Sequence, residues 1–188
     1  MKQQPLLSIL ICSLHKRIDK LSHLLSTLTP QVDSYPGQVE LIVNMDNKFL
    51  STGSKRQLLL EQATGEYIVF IDDDDHIDQE YVPLIISALS SRPDCVATTG
   101  WYTSDNGQKT VWFLSKDLKN ENKNGFFYRT TNHISPVKRE LALQVGFKPI
   151  SFGEDADYSE RLKPLLNSET KINKLIYHYD FKSTNKEY

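Results

Sequence analysis

Short apolar runs alternate with helical patterns through the first half of the chain, and this alternation is the strongest constraint on its fold. Leu6 to Ser13 and Glu66 to Ile71 are apolar runs typical of strands covered on both faces. Val39 to Val43 and Cys95 to Thr99 predict two further strands. Strands separated by helical patterns favour βαβ units, so we expect an α/β fold with a mostly parallel central sheet flanked by helices.

Helices are predicted between these strands from apolar periodicity and capping residues. They are Lys16 to Leu28 with a stop at Pro30, Ser54 to Ala63 with a capping box at Ser54 and Gln57, and Gln79 to Ser90 with a cap at Asp78. Right-handed crossovers would bring the carboxyl ends of the strands to one edge of the sheet, where open α/β sheets bind ligands.

The second half of the chain is less regular. Its predicted elements are a strand over Thr110 to Leu114, a loop over Lys116 to Gly125, helices over Pro136 to Val145 and Asp155 to Leu166, and a strand over Ile172 to Tyr179. We expect one domain over residues 1–188, which ends in a polar tail at 181–188.

Three polar clusters follow three of the predicted strands directly. They are Ser13 to Arg17, Asn44 to Asn47, and Asp72 to Asp75. Because their strands end at the same edge, we expect these clusters to converge into one ligand site.

The run Asp72 to Asp75 is the most informative of the three clusters. Adjacent carboxylates repel one another, and a bound magnesium, manganese or calcium ion would relieve that repulsion. The plain alternative is a solvated acidic turn. An EF-hand is excluded, because Ile77 and Pro83 stand where glycine and glutamate are needed. Zinc-type cysteine and histidine spacing is missing, and no nucleophilic aspartate of a haloacid-dehalogenase-type phosphatase follows the first strand.

Phe70 to Asp75 resembles the DxD motif of family 2 glycosyltransferases, which have the GT-A fold. The surroundings resemble that family in the same order along residues 5 to 180. The matching segments are Leu7 to Arg17 (opening strand and nucleotide turn), Glu40 to Asp46, Lys55 to Leu58, Ala63 to Tyr67, and Gly153 to Leu162 (the "ED" acceptor motif). Two departures lie in the nucleotide site, with Ser13-Leu14-His15 for Thr-Tyr-Asn and Met45-Asp46-Asn47-Lys48 for Asp-Asp-Gly-Ser.

The resemblance implies a metal-dependent inverting enzyme with Mn²⁺ or Mg²⁺, a UDP- or GDP-sugar donor and a carbohydrate acceptor. It also implies a nucleotide-sugar-binding half at about 5–100 and an acceptor half at about 101–180. Asp74 is the expected metal ligand, with Asp72 as a second ligand or nucleotide contact and Asp73 and Asp75 as alternatives in the same run. His178 is a candidate third ligand, followed by His76 and His133. The expected nucleotide contacts are Ser13, His15, Arg17, Asp46, Lys55, Arg56, Asp72 and Asp73.

Acceptor chemistry is expected at the start of the predicted helix after Gly153. A sugar hydroxyl needs a base to take its proton, and the resemblance makes Asp155 that base and Glu154 a positioning or acceptor contact. Acidic residues at a helix start are also favourable in themselves, and Arg161 is expected to pair locally with Asp157 or Glu154.

Composition excludes several classes of function. With 22 basic and 24 acidic side chains, the net charge of −2 argues against nucleic-acid binding, and no apolar run is long enough for a membrane span. The apolar start of the chain fits a strand better than a signal peptide, and Cys12 and Cys95 are expected to be reduced core residues, so we expect a cytoplasmic protein. Two alternatives remain, a non-catalytic GT-A-like carbohydrate-binding protein and a sugar-phosphate nucleotidyltransferase, although the latter's glycine-rich loop is missing after the first strand. Oligomeric state is not predicted.

Overall fold

The computed structural model describes residues 4–181. Its strands are β1 (Leu7–Leu14), β2 (Val39–Asp46), β3 (Tyr67–Phe70), β4 (His76–Ile77), β5 (Cys95–Thr103), β6 (Lys109–Leu114), β7 (Glu121–Lys123), β8 (Phe126–Arg129), β9 (Val137–Lys138) and β10 (Glu169–Asp180). Its helices are α1 (Ile18–Asp33), α2 (Thr52–Gln62), α3 (Tyr81–Leu89), α4 (Arg139–Val145) and α5 (Glu154–Leu162).

The strands form a mixed sheet in the order β2-β1-β3-β9-β5-β6-β8-β7, with β10 beside β5 and β4. β1 pairs in parallel with both β2 and β3, and β5 pairs in parallel with β10. The two-residue strand β9 runs antiparallel between β3 and β5 and joins the two parallel parts. The predicted α/β architecture is therefore confirmed.

Alternate side chains of β1 pack into separate apolar cores on the two faces of the sheet. Leu7, Ile9 and Ile11 lie in a core with side chains of α1 and α3. Leu10 lies in a second core with side chains of α2, α4 and α5. Because both faces are covered, the strand ends are the part of the sheet left to bind a ligand.

Several predicted helix bounds are wrong. α1 continues through Pro30 to Asp33, since a proline in the last turn costs only one backbone hydrogen bond and Gln31 anchors that turn by donating to the Asp78 carbonyl at 3.1 Å. The N-cap of α2 is Ser51, whose Oγ accepts from Ser54 N–H at 3.1 Å, rather than Ser54 itself.

Three further helix predictions are too long. The helix predicted over Pro136 to Val145 begins at Arg139, because Val137 and Lys138 form β9 between β3 and β5. α3 begins at Tyr81 and not at Gln79. Asp78 accepts a hydrogen bond from Glu80 N–H at 2.9 Å, in the turn that precedes the helix. α5 ends at Leu162, because Pro164 cannot donate to an α-helical carbonyl and the chain tightens into a 3₁₀ turn over Lys163–Leu165.

The predicted loop over Lys116 to Gly125 is wrong in its second part, where β7 and β8 form a hairpin. Asn124 and Gly125 connect the strands with φ angles of 53° and 78°. Asn-Gly is the preferred sequence for a two-residue hairpin turn with positive φ at both positions.

Among residues 4–181, no helix combines the length and apolar character that a bilayer crossing requires. The predicted tail lies outside the described residues from position 182 onward. The division into domain halves and the cytoplasmic location stay predictions.

Candidate active site

The polar clusters after β1, β2 and β3 meet at one edge of the sheet. Lys55, near the start of α2, donates to Asp46 Oδ1 at 2.9 Å and to the Ser13 carbonyl at 3.0 Å. Ser13 Oγ in turn donates to Asp73 Oδ2 at 2.6 Å. The predicted convergence of these clusters is therefore present, and Lys55 is the residue that joins the first two.

The four aspartates point to different partners because they form a turn. Asp75 N–H donates to the Asp72 carbonyl at 3.2 Å, which closes the turn. The Asp72 side chain faces Arg56 of α2 and His133, whereas Asp74 faces the start of α1. The acidic run is thus a junction between two neighbouring regions and not one bundle of carboxylates.

Arg56 connects the acidic turn to the start of α5. Its Nη2 donates to Asp72 Oδ1 and its Nη1 donates to Glu154 Oε1, both at 2.8 Å. The Arg56 side chain is 5% exposed and that of Glu154 is 7% exposed, so the latter pair is buried. Burial disfavours the charge on Asp72, but Arg56 and His133 outweigh it and hold the pKa of Asp72 well below its usual range.

Arg17 neutralises the other side of the turn. Its Nη2 lies 2.9 Å from Asp73 Oδ1 and 2.5 Å from Asp74 Oδ2, and Lys20 Nζ lies 3.8 Å from the same Asp74 oxygen. Burial raises the pKa of Asp73 to about 6, although Ser13 and Arg17 oppose this increase. Ser13 and Arg17 therefore do not fully offset the cost of burying a charged Asp73 carboxylate.

Asp75 is buried behind the turn. Its Oδ2 accepts from the Tyr177 hydroxyl at 2.6 Å, and that hydroxyl accepts from Asp72 N–H at 3.3 Å. Burial and the neighbouring Asp72 carboxylate raise the pKa of Asp75 well above its usual range. Its Oδ1 is buried without a hydrogen-bond partner in the described part of the chain.

A cavity of about 370 Å³ lies on this side of the turn. Asp73, Asp74, Asp75, Asp19, Lys20, His23, His76 and Asp180 line it. Its walls are mostly acidic, which suits a cation or a ligand that binds together with one.

The donor set of the turn fits Mn²⁺ or Mg²⁺. Carboxylate oxygens are the ligands that these ions prefer. Asp75 Oδ1 is an acceptor that no hydrogen bond uses, and the positive charge of Arg17 already lies against Asp74. Within residues 4–181, no three His, Cys, Asp or Glu side chains are arranged to hold a metal by themselves. Nucleotide sites do not require such a set, because one or two carboxylates usually share the ion with phosphate oxygens.

His178 lies next to His76, which lines the same cavity as Asp74. It pairs with His76 across β10 and β4, their rings stack at 5.3 Å, and its Nε2 lies 2.7 Å from Thr103 Oγ1. The proposed metal role of His178 stays a prediction. His15 is exposed in a 3₁₀ turn over His15–Arg17 before α1, and its nucleotide role also stays a prediction.

Asp155 and Glu154 are neighbours in sequence but differ in environment. The Asp155 side chain is 44% exposed, whereas Glu154 is buried against Arg56. Arg161 pairs with Asp157, one of its two predicted partners, and also contacts the backbone of Val145 and Gly146. Asp155 is thus the carboxylate of this motif that an incoming molecule can reach.

Residues 19–146 match the family model of glycosyl transferase family 2. The chain belongs to this family. The match confirms the family predicted from the DxD-like run and its surroundings. No curated protein sequence matches the chain.

Solved structures share the fold of this family 2 chain at low identity. TarS 1–349 from S. aureus is 16% identical with a TM-score of 0.66, over 93% of this chain and 60% of that chain. TarS 1–349 in complex with UDP-GlcNAc is 17% identical with a TM-score of 0.67, over 94% of this chain and 59% of that chain. The chain thus spans about 60% of the length of these neighbours, and the likeness shows the GT-A fold.

Sequence reasoning missed Tyr177, which holds both Asp75 and the backbone of Asp72. A tyrosine in the alternating pattern of β10 is indistinguishable from a packing residue, so the sequence carries no signal for this contact. It also placed His133 only among lesser metal candidates, whereas its ring lies between Asp72 and Asp155.

Proposed function

We propose that this protein is a metal-dependent inverting glycosyltransferase that moves a sugar from a UDP- or GDP-activated donor to a hydroxyl of a carbohydrate acceptor. The observation that carries the proposal is the contact of Arg56 with both Asp72 and Glu154. This contact joins the acidic turn at the end of β3 to the start of α5. The donor-side carboxylate of Asp72 and the accessible carboxylate of Asp155, which follows Glu154, therefore lie in one site.

The donor half of the site is assigned to the edge of β1, β2 and β3. Asp46 and Ser13 are held by Lys55, and we assign them, with Asp72, to the nucleoside. Lys55 and Arg56 are buried and paired with carboxylates, so in this proposal they act by holding those carboxylates in place. Family membership and the UDP-GlcNAc complex of the TarS neighbour support a nucleotide-sugar donor.

Asp74, with Asp73, would hold the divalent ion, because Arg17 Nη2 contacts both carboxylates on one side of the turn. When bound there, the ion would supply positive charge to the diphosphate leaving group. Arg17 and Lys20 lie on the same side of the turn and would add positive charge near those phosphates.

Asp155 is the proposed base. The oxygen of the acceptor hydroxyl attacks the anomeric carbon, and the hydroxyl proton passes to the Asp155 carboxylate. The bond from the anomeric carbon to the diphosphate oxygen breaks, and its electron pair stays on that oxygen. Direct displacement of this kind inverts the anomeric centre. Glu154 is less suited to the role, because its carboxylate is buried and occupied by Arg56.

The test is a screen of UDP- and GDP-sugars with Mn²⁺, read as thermal stabilisation and as nucleoside diphosphate release. We expect one donor to stabilise the protein and be turned over. Asp74→Asn should lose both responses while remaining folded, and Asp117→Asn, at an exposed position, is the control. Unchanged Mn²⁺-dependent nucleotide affinity in Asp74→Asn would contradict the metal assignment. Sugar binding without turnover would favour the carbohydrate-binding alternative.

A further inference from the structure

His133 lies between the two elements that carry Asp72 and Asp155. Its carbonyl accepts from Phe70 N–H at 3.0 Å, which ties it to the end of β3. Two residues earlier, the Thr131 carbonyl accepts from Ser159 Oγ of α5 at 2.7 Å. The backbone around His133 is therefore fixed to both sides of the proposed site.

The two ring nitrogens of His133 face two different carboxylates. Nε2 lies 3.3 Å from Asp72 Oδ2, and Nδ1 lies 4.0 Å from Asp155 Oδ2. The His133 side chain is only 8% exposed, and Nδ1 is buried without a hydrogen-bond partner among the described residues. A buried, unsatisfied ring nitrogen is costly unless some state of the protein uses it.

The distance from Nδ1 to Asp155 is too long for a hydrogen bond, but a movement of about 1 Å would form one. Asp155 Oδ1 already accepts from Ala156 N–H at 2.9 Å, which leaves Oδ2 as the oxygen that turns toward His133. Contacts between catalytic groups are often long before substrate binds.

We propose that His133 is a positioning residue that orients Asp155 for proton transfer, through a hydrogen bond from Nδ1–H to Asp155 Oδ2. The inference rests on the proposed function, in which Asp155 is the base. A neutral imidazole donates through one nitrogen only. The proposal therefore uses the tautomer whose hydrogen lies on Nδ1.

A purely structural role would differ in which nitrogen matters. If His133 only supports Asp72, the Nε2 contact is the important one and donor affinity depends on it. An asparagine amide places its nitrogen near the position of Nδ1, whereas a glutamine amide reaches the position of Nε2. The pair His133→Asn and His133→Gln therefore separates the two roles, with His133→Ala as the full deletion.

The experiment measures UDP release from UDP-GlcNAc with Mn²⁺, and UDP affinity by calorimetry, for these variants and the wild type. We expect His133→Ala to lower kcat by about 30- to 100-fold with the donor KM and UDP affinity within about twofold of wild type. His133→Asn should recover most of this loss and His133→Gln should not. Melting temperatures establish that each variant is folded.

Rescue by glutamine instead of asparagine, or a loss that falls on KM and UDP affinity alone, would overturn the positioning role while leaving the proposed function intact. A wild type that neither binds nor turns over any UDP- or GDP-sugar of the screen would instead overturn the proposed function. A crystal structure with UDP and Mg²⁺ gives an activity-independent check. The Nδ1 to Oδ2 distance should shorten to about 3 Å, and a distance still near 4 Å would contradict the inference.

Discussion

The Arg17 guanidinium lies 2.5 Å from the Asp74 carboxylate, the carboxylate we assign to the divalent ion. Arg17 thus places a positive charge at Asp74, where the divalent ion would also place one. Any cation that approaches Asp74 must compete with Arg17 or share the carboxylate with it.

Arg17→Ala is expected to raise the affinity of the nucleotide-free protein for Mn²⁺ by about three- to tenfold, because Asp73 and Asp74 lose their internal cation. Calorimetric titration with MnCl₂ measures this. Lys171→Ala removes the same charge from an exposed lysine that pairs with Glu169, and it should leave Mn²⁺ affinity unchanged. Equal or weaker Mn²⁺ binding by Arg17→Ala would show that Arg17 and the ion do not compete.

Asp155→Asn should retain nucleotide binding and lose sugar transfer by about 100-fold or more, because the amide cannot take a proton. The fold should not change, since the Asp155 side chain is 44% exposed. UDP affinity and transfer rate are measured side by side. Asp157→Asn, in the same helix but paired with Arg161, is the control. A transfer rate equal to wild type would require a different base.

Asp73→Asn is expected to stabilise the protein at pH 8 by about 1 to 2 kcal/mol and to lose this advantage toward pH 5. Burial raises the pKa of Asp73 from 3.8 to about 6. Above pH 6 the folded state therefore holds an unfavourable buried charge. As the pH falls through 6, the folded state takes up a proton before the unfolded state does, and stability rises. Urea unfolding of wild type and Asp73→Asn at both pH values measures the effect. A difference in unfolding free energy that is the same at pH 5 and pH 8 would contradict the prediction.

Gly53→Ala should destabilise the protein by about 1 to 3 kcal/mol despite the higher helix propensity of alanine. A Cβ at Gly53 would lie 1.8 Å from the Lys148 carbonyl oxygen, and Gly53 N–H donates to the Ile150 carbonyl at 2.9 Å. The start of α2, which carries Lys55 and Arg56, would have to move. Urea unfolding compares it with Gln62→Ala, an exposed position in the same helix. A stability equal to the control would mean that this contact is easily relaxed.

The fold is largely predictable where buried elements require a recognisable pattern of apolar residues. The sequence predicts β1 and β3 to within one residue at each end, because strands covered on both faces require continuous apolar runs. The β7 strand has no such pattern, since Glu121, Asn122 and Lys123 are all exposed. The Asn124-Gly125 turn was the remaining signal for that hairpin.

The site is predictable to the level of its strand ends and no further. Strand order explains why Ser13, Asp46 and Asp72 lie at one edge. It does not determine that Asp72 pairs with Arg56 and His133, because those contacts depend on how α2 and the segment before β9 pack against the sheet. Side-chain direction within the turn, which separates Asp72 from Asp74, likewise follows from three-dimensional geometry.

The central claim is a divalent ion held at the turn after β3 together with a nucleoside diphosphate. The most direct measurement is a crystal structure with Mn²⁺ and UDP, in which anomalous scattering identifies the ion. We predict a manganese peak within about 2.5 Å of an Asp74 carboxylate oxygen and in contact with the diphosphate. UDP bound at another surface, with no manganese peak at Asp72 to Asp75, would contradict the account.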